Sequence, residues 1–336
     1  MTNTLRQLQS FHIIQRNVNN EITITWTFPS ISHEHKIMIL KKAFMLQEKN
    51  AFNCLRSNDW LYIREFEIET RQLAVCLITA DYDPNKYETL CNILIRRYQK
   101  TENPVELVKL YLSVFTQGSL SVQENGTLVT HDFKKFNSIT NVKEMIKAFG
   151  LEIILIYNSL LLKKRMLVYH QNLRKLQKAL LSISKIMLHR NPNDYLYPHI
   201  DDMLDARGKT FFVAGTASAK PPLSSDYYDL FVNLSSLQIS ISSHAKETFA
   251  MNKTHKDLAI FIVQLAENSE MTEQQIIQEI NVKTQELLTN LKSLASVKIS
   301  EDKYVITLEM LRAKKLNPIT ENFLFNLAVA ENIMML

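Results

Sequence analysis

Residues 160–169 read Leu-Leu-Leu-Lys-Lys-Arg-Met-Leu-Val-Tyr and carry a change from helical to strand-like patterning within one short stretch. The run at residues 151–162, which ends within this stretch, is apolar except for three positions, and it is shorter than the ~20 residues that a membrane span requires. We therefore interpret it as a buried core helix. Lys163, Lys164 and Arg165 end this helix, where cations suit the negative end of the helix dipole. Residues 166–169 follow as a short strand.

The segments after this core predict alternating helices and strands. Asn172 opens a helix with a regular apolar face, and Thr272 with Gln275 opens a later one through a capping box. Asn141 and Glu144 mark the start of a helix upstream. The remaining predictions are a strand at residues 210–216, a hairpin at 229–234 and 237–242, mostly helix after 244, a small hairpin at 297–308 and a final helix at 321–335.

The N-terminal third predicts a sheet followed by two helices. Residues 21–28 alternate apolar and polar side chains, and they can pair with residues 11–15 through a turn at Asn19 and Asn20. Asp83-Pro84 and Asn103-Pro104 are N-cap and first-turn pairs, and Glu106 is placed to complete a capping box. The other predictions here are a helix at 33–44, strands at 60–68 and 73–79, and a helix end at Gly118.

These elements predict an α/β protein with three parts. Residues 119–138 are polar and show no sustained hydrophobic period, which is typical of a boundary. We predict an N-terminal lobe at 1–120, a linker at 121–139, a central α/β lobe at 140–243 and a helical C-terminal region at 244–336.

Composition excludes several classes of protein. The chain has 336 residues and a formal net charge of +5, too small an excess for a nucleic-acid binder. It contains 5 glycines and 8 prolines, which argues against flexible low-complexity chains. No glycine-rich phosphate-binding motif occurs. The N-terminus lacks the apolar core of a signal peptide, so we expect a cytoplasmic protein with no transmembrane segment.

Few residues suggest covalent chemistry. His33 and His35 could chelate zinc on a strand, but on a helix residues two apart point in different directions. Asp201, Asp202 and Asp205 could hold magnesium, although acidic residues also suit a helix start. The cysteines, Cys54, Cys76 and Cys91, fit neither a disulfide framework nor a zinc site, and we interpret them as core residues. We therefore predict no metal, no cofactor and no catalytic site of the covalent kind.

The order of several strings resembles the DENN-domain proteins. The string at 160–169 is followed by Tyr195-Leu-Tyr-Pro198-His, Phe211-Phe-Val-Ala-Gly215 and Asp229-Leu-Phe-Val-Asn-Leu234. Further matches, to a short stand-alone member of the family, are Glu124-Asn-Gly and residues 245–251 and 320–324. Together they extend over essentially the whole chain.

This resemblance implies a longin-like N-terminal lobe, an α/β DENN lobe and a helical C-terminal extension. It also implies a guanine-nucleotide exchange factor for a Rab-type small GTPase, peripheral to late endosomes and acting in membrane trafficking. No motif identifies the GTPase contacts, and the candidates are two basic groups, Lys163, Lys164 and Arg165, and Lys134 and Lys135. The alternative is a non-catalytic scaffold of the Commander endosomal-recycling assembly that docks on its coiled-coil subunits.

Overall fold

The computed structural model describes residues 5–45, 50–124, 126–200, 206, 208–218, 225–295, 297–300 and 303–335. The chain divides into two compact units, Met1–Ile139 and Thr140–Leu336. Each unit contains a five-stranded sheet with helices, so the predicted α/β class is confirmed. None of the described helices is long and apolar enough to cross a membrane.

The sheet of the first unit is antiparallel, with strand order β2-β1-β5-β4-β3. Its strands are β1 (Leu8–Arg16), β2 (Ile22–Phe28), β3 (Phe52–Arg56), β4 (Trp60–Ile68) and β5 (Arg71–Thr79). The predicted pairing of the first two strands is confirmed, and Asn20 takes a φ of 62° in their turn. The Asn17 side chain accepts hydrogen bonds from the backbone N–H groups of Asn19 and Glu21, which stabilises that turn.

The helices that the structure describes in the first unit are α1 (His33–Lys42), α2 (Pro84–Thr101) and α3 (Pro104–Gln117). The predicted caps are confirmed, because Asp83 accepts from Lys86 N–H and Asn103 accepts from Val105 N–H. The capping box predicted for Glu106 is wrong, since its carboxylate instead bonds the Arg97 and Lys109 side chains. A carboxylate near two bases gains more from charge-assisted hydrogen bonds than from one neutral backbone N–H.

Much of the segment interpreted as the linker at 121–139 is a β-hairpin. β6 (Ser119–Glu124) and β7 (Thr127–Asp132) pair as a two-stranded antiparallel sheet. Leu120 is buried, whereas Ser121 and Gln123 are exposed. The polar residues that suggested a linker are therefore the solvent-facing half of a short alternating hairpin.

The sheet of the second unit has strand order β12-β11-β8-β10-β9. The strands are β8 (Met166–Tyr169), β9 (Leu196–Tyr197), β10 (Val213–Thr216), β11 (Leu230–Asn233) and β12 (Gln238–Ile241). β8 is buried along its whole length and lies between β10 and β11, parallel to both. The predicted short strand is therefore confirmed, and the structure adds that it is buried and lies at the centre of this sheet, where apolar side chains are covered on both faces.

Helices contact this sheet and continue toward the C-terminus. They are α4 (Val142–Phe149), α5 (Ile153–Leu161), α6 (Leu173–Ile186), α7 (Pro192–Tyr195), α8 (Lys253–Glu267), α9 (Glu273–Ser293), α10 (Leu308–Ala313) and α11 (Pro318–Ala330). β13 (Val297–Ser300), β14 (Lys303–Thr307) and β15 (Met334–Met335) form a small sheet. The capping box of Thr272 with Gln275 is confirmed.

Two helix ends in this unit differ from the sequence predictions. The final helix begins at Pro318 after the Asn317 cap and ends at Ala330, so the prediction of a helix through 335 is wrong. The Asn141 side chain does not cap α4. The Glu273 carboxylate does so instead, accepting from the N–H groups of Val142 and Lys143 at 2.9 and 2.8 Å and from the Thr140 hydroxyl.

Candidate functional site

The predicted basic triplet forms the turn between α5 and β8, which we call the basic turn (Lys163, Lys164 and Arg165). Lys163 takes a left-handed φ of 51°, and the Lys164 N–H bonds the Ser159 carbonyl at 2.8 Å. This closure ends the buried helix and directs the chain into the central strand.

Arg165 is occupied by contacts inside the second unit. Its Nη2 and Nε donate to the Asp229 carboxylate at 2.8 and 3.2 Å, and its Nη1 donates to the Asp226 carbonyl at 2.7 Å. The Arg165 backbone N–H also bonds Asp229, and His244 Nε2 lies 2.8 Å from the same carboxylate. Burial acts to raise the pKa of Asp229, but hydrogen bonds from Arg165 and His244 outweigh it and hold that pKa below its usual value.

The two lysines of the basic turn are half-buried beside the last helix. Lys164 Nζ donates to the Asn326 side chain of α11 at 3.1 Å, and burial lowers its pKa. Burial and the charge of Arg190 lower the pKa of Lys163, although Glu331 opposes them. Arg190 forms an ion pair with Glu331 and donates to the Leu161 carbonyl at 2.8 Å. The basic turn therefore joins α5, β8 and the C-terminal helix.

Lys134 and Lys135 lie in the first unit, directly after the β6–β7 hairpin. Asp132 accepts hydrogen bonds from both backbone N–H groups, at 2.9 and 3.0 Å, and these bonds lower its pKa. Both lysine side chains are exposed. The stem of Lys134 covers Gly118 so closely that a Cβ added at Gly118 would clash with it. The five candidate residues thus belong to two different units and include two exposed bases.

The structure gives no support to a metal site at the histidines that the sequence suggested as ligands. His35 contacts the Ser32 hydroxyl and lies 3.2 Å from Asp59, while His33 is the exposed first residue of α1. Within the described ranges, no group of three or more histidine, cysteine or acidic side chains could hold a metal ion. Asp201, Asp202 and Asp205 lie outside the described residues.

The cysteine interpretation is confirmed. Cys54, Cys76 and Cys91 are buried and not joined by disulfides. Burial raises the pKa of all three thiols, which disfavours the reactive thiolate.

Sequence reasoning missed a groove in the first unit, which we call the basic groove. It has a volume of about 1090 Å³. It is lined by Ile93, Arg96, Arg97 and Lys100 of α2, Leu110 of α3, Ser121, Val122 and Gln123 of β6, and Gly126. The signal available in the sequence was three bases within five residues of a well-capped helix. A cluster of that kind on one helix indicates a surface for an anionic partner.

Comparisons with known proteins place the chain in a family. The family model described as "Stabilization of polarity axis" matches residues 139–243. DENN domain-containing protein 10 of Homo sapiens is 32% identical over 340 residues, covering 96% of this chain and 95% of the relative. The Danio rerio protein of the same name is 32% identical, with 97% of each chain covered. The Dictyostelium discoideum one is 30% identical, covering 99% of this chain and 100% of the relative. The resemblance to DENN-domain proteins is therefore confirmed, and the chain belongs to the family of DENN domain-containing protein 10.

Proposed function

We propose that this protein is a DENN-type regulator of a Rab-type small GTPase and acts as its guanine-nucleotide exchange factor. The observation that carries the proposal is the relationship to DENN domain-containing protein 10 at 30 to 32% identity over nearly the whole chain. We further propose that residues 1–120 correspond to a longin-like lobe and that residues 140–243 correspond to the DENN lobe.

Exchange requires differential binding and no covalent chemistry. A factor that binds the empty GTPase more tightly than the nucleotide-bound form lowers the affinity for nucleotide by the same ratio, because the two equilibria are linked. A thousandfold preference corresponds to about 4 kcal/mol. Protein contacts of ordinary size supply such a difference, so we propose a protein without a catalytic acid, base or metal.

The exposed bases after β7 are the best-placed of the candidate contacts. Lys135 is exposed and has its backbone held by Asp132, so its ammonium group is displayed from a rigid turn. Arg165 is paired with Asp229, and using it to bind a partner would leave that buried carboxylate without its main counter-ion. We therefore propose Lys135, with Lys134 beside it, as contacts to an acidic surface of the GTPase.

The test is release of fluorescent GDP from a panel of purified Rab GTPases, with and without the full chain. We expect one Rab to respond, and we expect Lys135→Glu to slow its release about tenfold or more, a typical effect of reversing an interface charge. Lys253→Glu is the matched control, because Lys253 is exposed in the first turn of α8, where an acidic residue is tolerated. No acceleration of any Rab would refute the exchange function.

One observation favours a second candidate, the non-catalytic scaffold at late endosomes. The exposed side of α9 carries a shallow groove of about 510 Å³, lined by Asn281, Val282, Gln285, Glu286, Thr289 and Asn290. An exposed valine with a polar and charged rim suits contact with another helix. Recovery of coiled-coil subunits of the Commander assembly in fixed stoichiometry with the tagged chain, reduced by Val282→Glu, would support this function.

A further inference from the structure

We propose that the basic groove of the first unit binds an extended acidic segment of a partner protein, which adds to β6 as a new strand. None of the predicted contact residues lines the groove. The proposal goes beyond the exchange function and does not depend on it.

The first argument is the open edge of β6. Among the strands that the structure describes, β6 pairs only with β7. The Ser119 carbonyl points away from β7, because it accepts a hydrogen bond from the Ser113 hydroxyl of α3. Outward-pointing backbone groups recur at every second residue of an antiparallel strand. Ser121 and Gln123 therefore present their N–H and C=O groups to the same open edge.

The second argument is that this open edge runs along the groove. Three consecutive residues of β6, from Ser121 to Gln123, line it. Successive side chains of a strand point to opposite faces, so a groove that touches three in a row follows the strand's edge rather than one of its faces. An unpaired strand edge is a template on which an extended peptide can form main-chain hydrogen bonds.

The third argument is charge. The wall opposite β6 carries Arg96, Arg97 and Lys100, which are all exposed. The carboxylate of Glu106 is shared between Arg97 and Lys109, so one acid faces two bases, and Lys100 adds a further positive charge to this side of the groove. This wall favours an acidic segment and disfavours a basic one.

The fourth argument is the apolar floor, which favours a peptide over other anions. Ile93 is buried, and Leu110 and Val122 are half-buried. A bound strand would direct every second side chain to this floor and the others to the open side, where the long Arg and Lys chains of α2 reach. The expected ligand therefore alternates apolar and acidic residues. Three bases are also fewer than the ~4 to 8 that anionic lipid binding usually requires.

The first experiment selects peptides from a random phage-displayed library on the immobilised full chain. We expect sequences that alternate acidic and apolar residues. Fluorescein-labelled copies of the selected peptides should bind the double variant Arg96→Glu with Lys100→Glu about tenfold or more weakly than the wild type. The matched control is Lys253→Glu with Lys256→Glu, two exposed residues of α8, and it should bind unchanged. Circular dichroism melts of both variants verify folding.

A second measurement tests the strand itself. Two copies of a selected peptide are made with N-methyl groups on alternate backbone amides. One copy is methylated on the odd-numbered residues and the other on the even-numbered residues. The copy whose methyl groups face β6 should lose binding, and the other should retain it, because only alternate N–H groups pair with an edge.

Several results would overturn the proposal. They are selected peptides without acidic enrichment, equal binding by the double variant, equal affinity of the two methylated copies, or binding of the chain to phosphatidylserine vesicles in place of any peptide. Normal GDP release by the double variant would show that this site and the exchange function are separate. Loss of GDP release by itself would not explain a loss of peptide binding, so each measurement tests its own proposal.

Discussion

Replacing Arg165 with glutamine tests whether this residue of the basic turn stabilises the second unit or contacts a partner. Its side chain donates two hydrogen bonds to the Asp229 carboxylate and one to the Asp226 carbonyl, and its Nη2 also lies 3.1 Å from His244 Nε2. We expect Arg165→Gln to reduce stability strongly. Lys175→Gln is the control, because Lys175 is an exposed cation on α6.

The magnitude follows from the burial of the pair. The Arg165 and Asp229 side chains are 25% and 11% exposed, so solvent screens their attraction only in part. A net contribution of about 1.5 to 3 kcal/mol is typical of a hydrogen bond to a charged group. Removing one member of a fully buried pair costs about 3 to 5 kcal/mol. His244 still contacts Asp229 in the variant, so we expect a loss near the lower limit, about 3 kcal/mol.

The assay is urea unfolding followed by two signals. Both tryptophans, Trp26 and Trp60, lie in the first unit, whereas far-ultraviolet circular dichroism reports helices of both units. We expect the dichroism transition to move to lower urea by more than the tryptophan fluorescence transition does. An Arg165→Gln protein that unfolds within about 0.5 kcal/mol of the wild type, yet no longer accelerates GDP release, would refute the structural role and restore Arg165 as a partner contact.

Three further predictions concern the second unit and use the same unfolding assay. Glu273→Ala removes the carboxylate that caps α4 and should lower stability by about 2 kcal/mol. The control is Glu279→Ala, an exposed residue of α9, the helix that carries Glu273, and it should change stability by less than about 0.5 kcal/mol. Gly215→Ala would place a Cβ 2.5 Å from the Pro198 carbonyl oxygen, so we expect a loss of about 1 to 3 kcal/mol, and an unchanged midpoint would contradict this close approach. Burial lowers the pKa of His255 from 6.5 to about 4, so the imidazole stays neutral in the folded protein while the unfolded chain takes up a proton below pH 6.5. Stability that is present above pH 6.5 is therefore lost as the pH falls toward 4. The variant His255→Gln, which retains a capping-box side chain, should lose up to about 3 kcal/mol less of its unfolding free energy than the wild type over that range. An equal dependence of unfolding free energy on pH in the two proteins would contradict this prediction.

Local signals predicted most helix starts correctly. Asp83-Pro84, Asn103-Pro104 and Thr272 with Gln275 act within one turn of the chain, and the structure contains each cap. The strand Phe52–Arg56 was missed because it is a five-residue edge strand whose pairing with its neighbour defines it. Asn141 was misjudged because a long-range carboxylate, Glu273, takes the capping position.

The candidate site was harder to predict because charge in a sequence does not reveal its counter-ion. Lys163, Lys164 and Arg165 are adjacent in the chain, but only the fold brings Asp229 and Asn326 to them. The basic groove was hard to predict for the same reason. The bases of α2 are visible in the sequence, whereas the opposite wall comes from a hairpin whose polar face resembles a linker.

The position of β8 in the middle of its sheet also affects folding during translation, because β8 is synthesised before both of its neighbouring strands. β8 and the buried helix before it leave the ribosome first, while the partner strand that ends at Asn233 follows about 60 residues later, or about 3 to 12 s at ordinary rates of synthesis. During that interval β8 has at most one of its two neighbouring strands, β10, to pair with. Binding by a chaperone, or slower folding of the nascent chain, is therefore expected at this point of translation rather than after release.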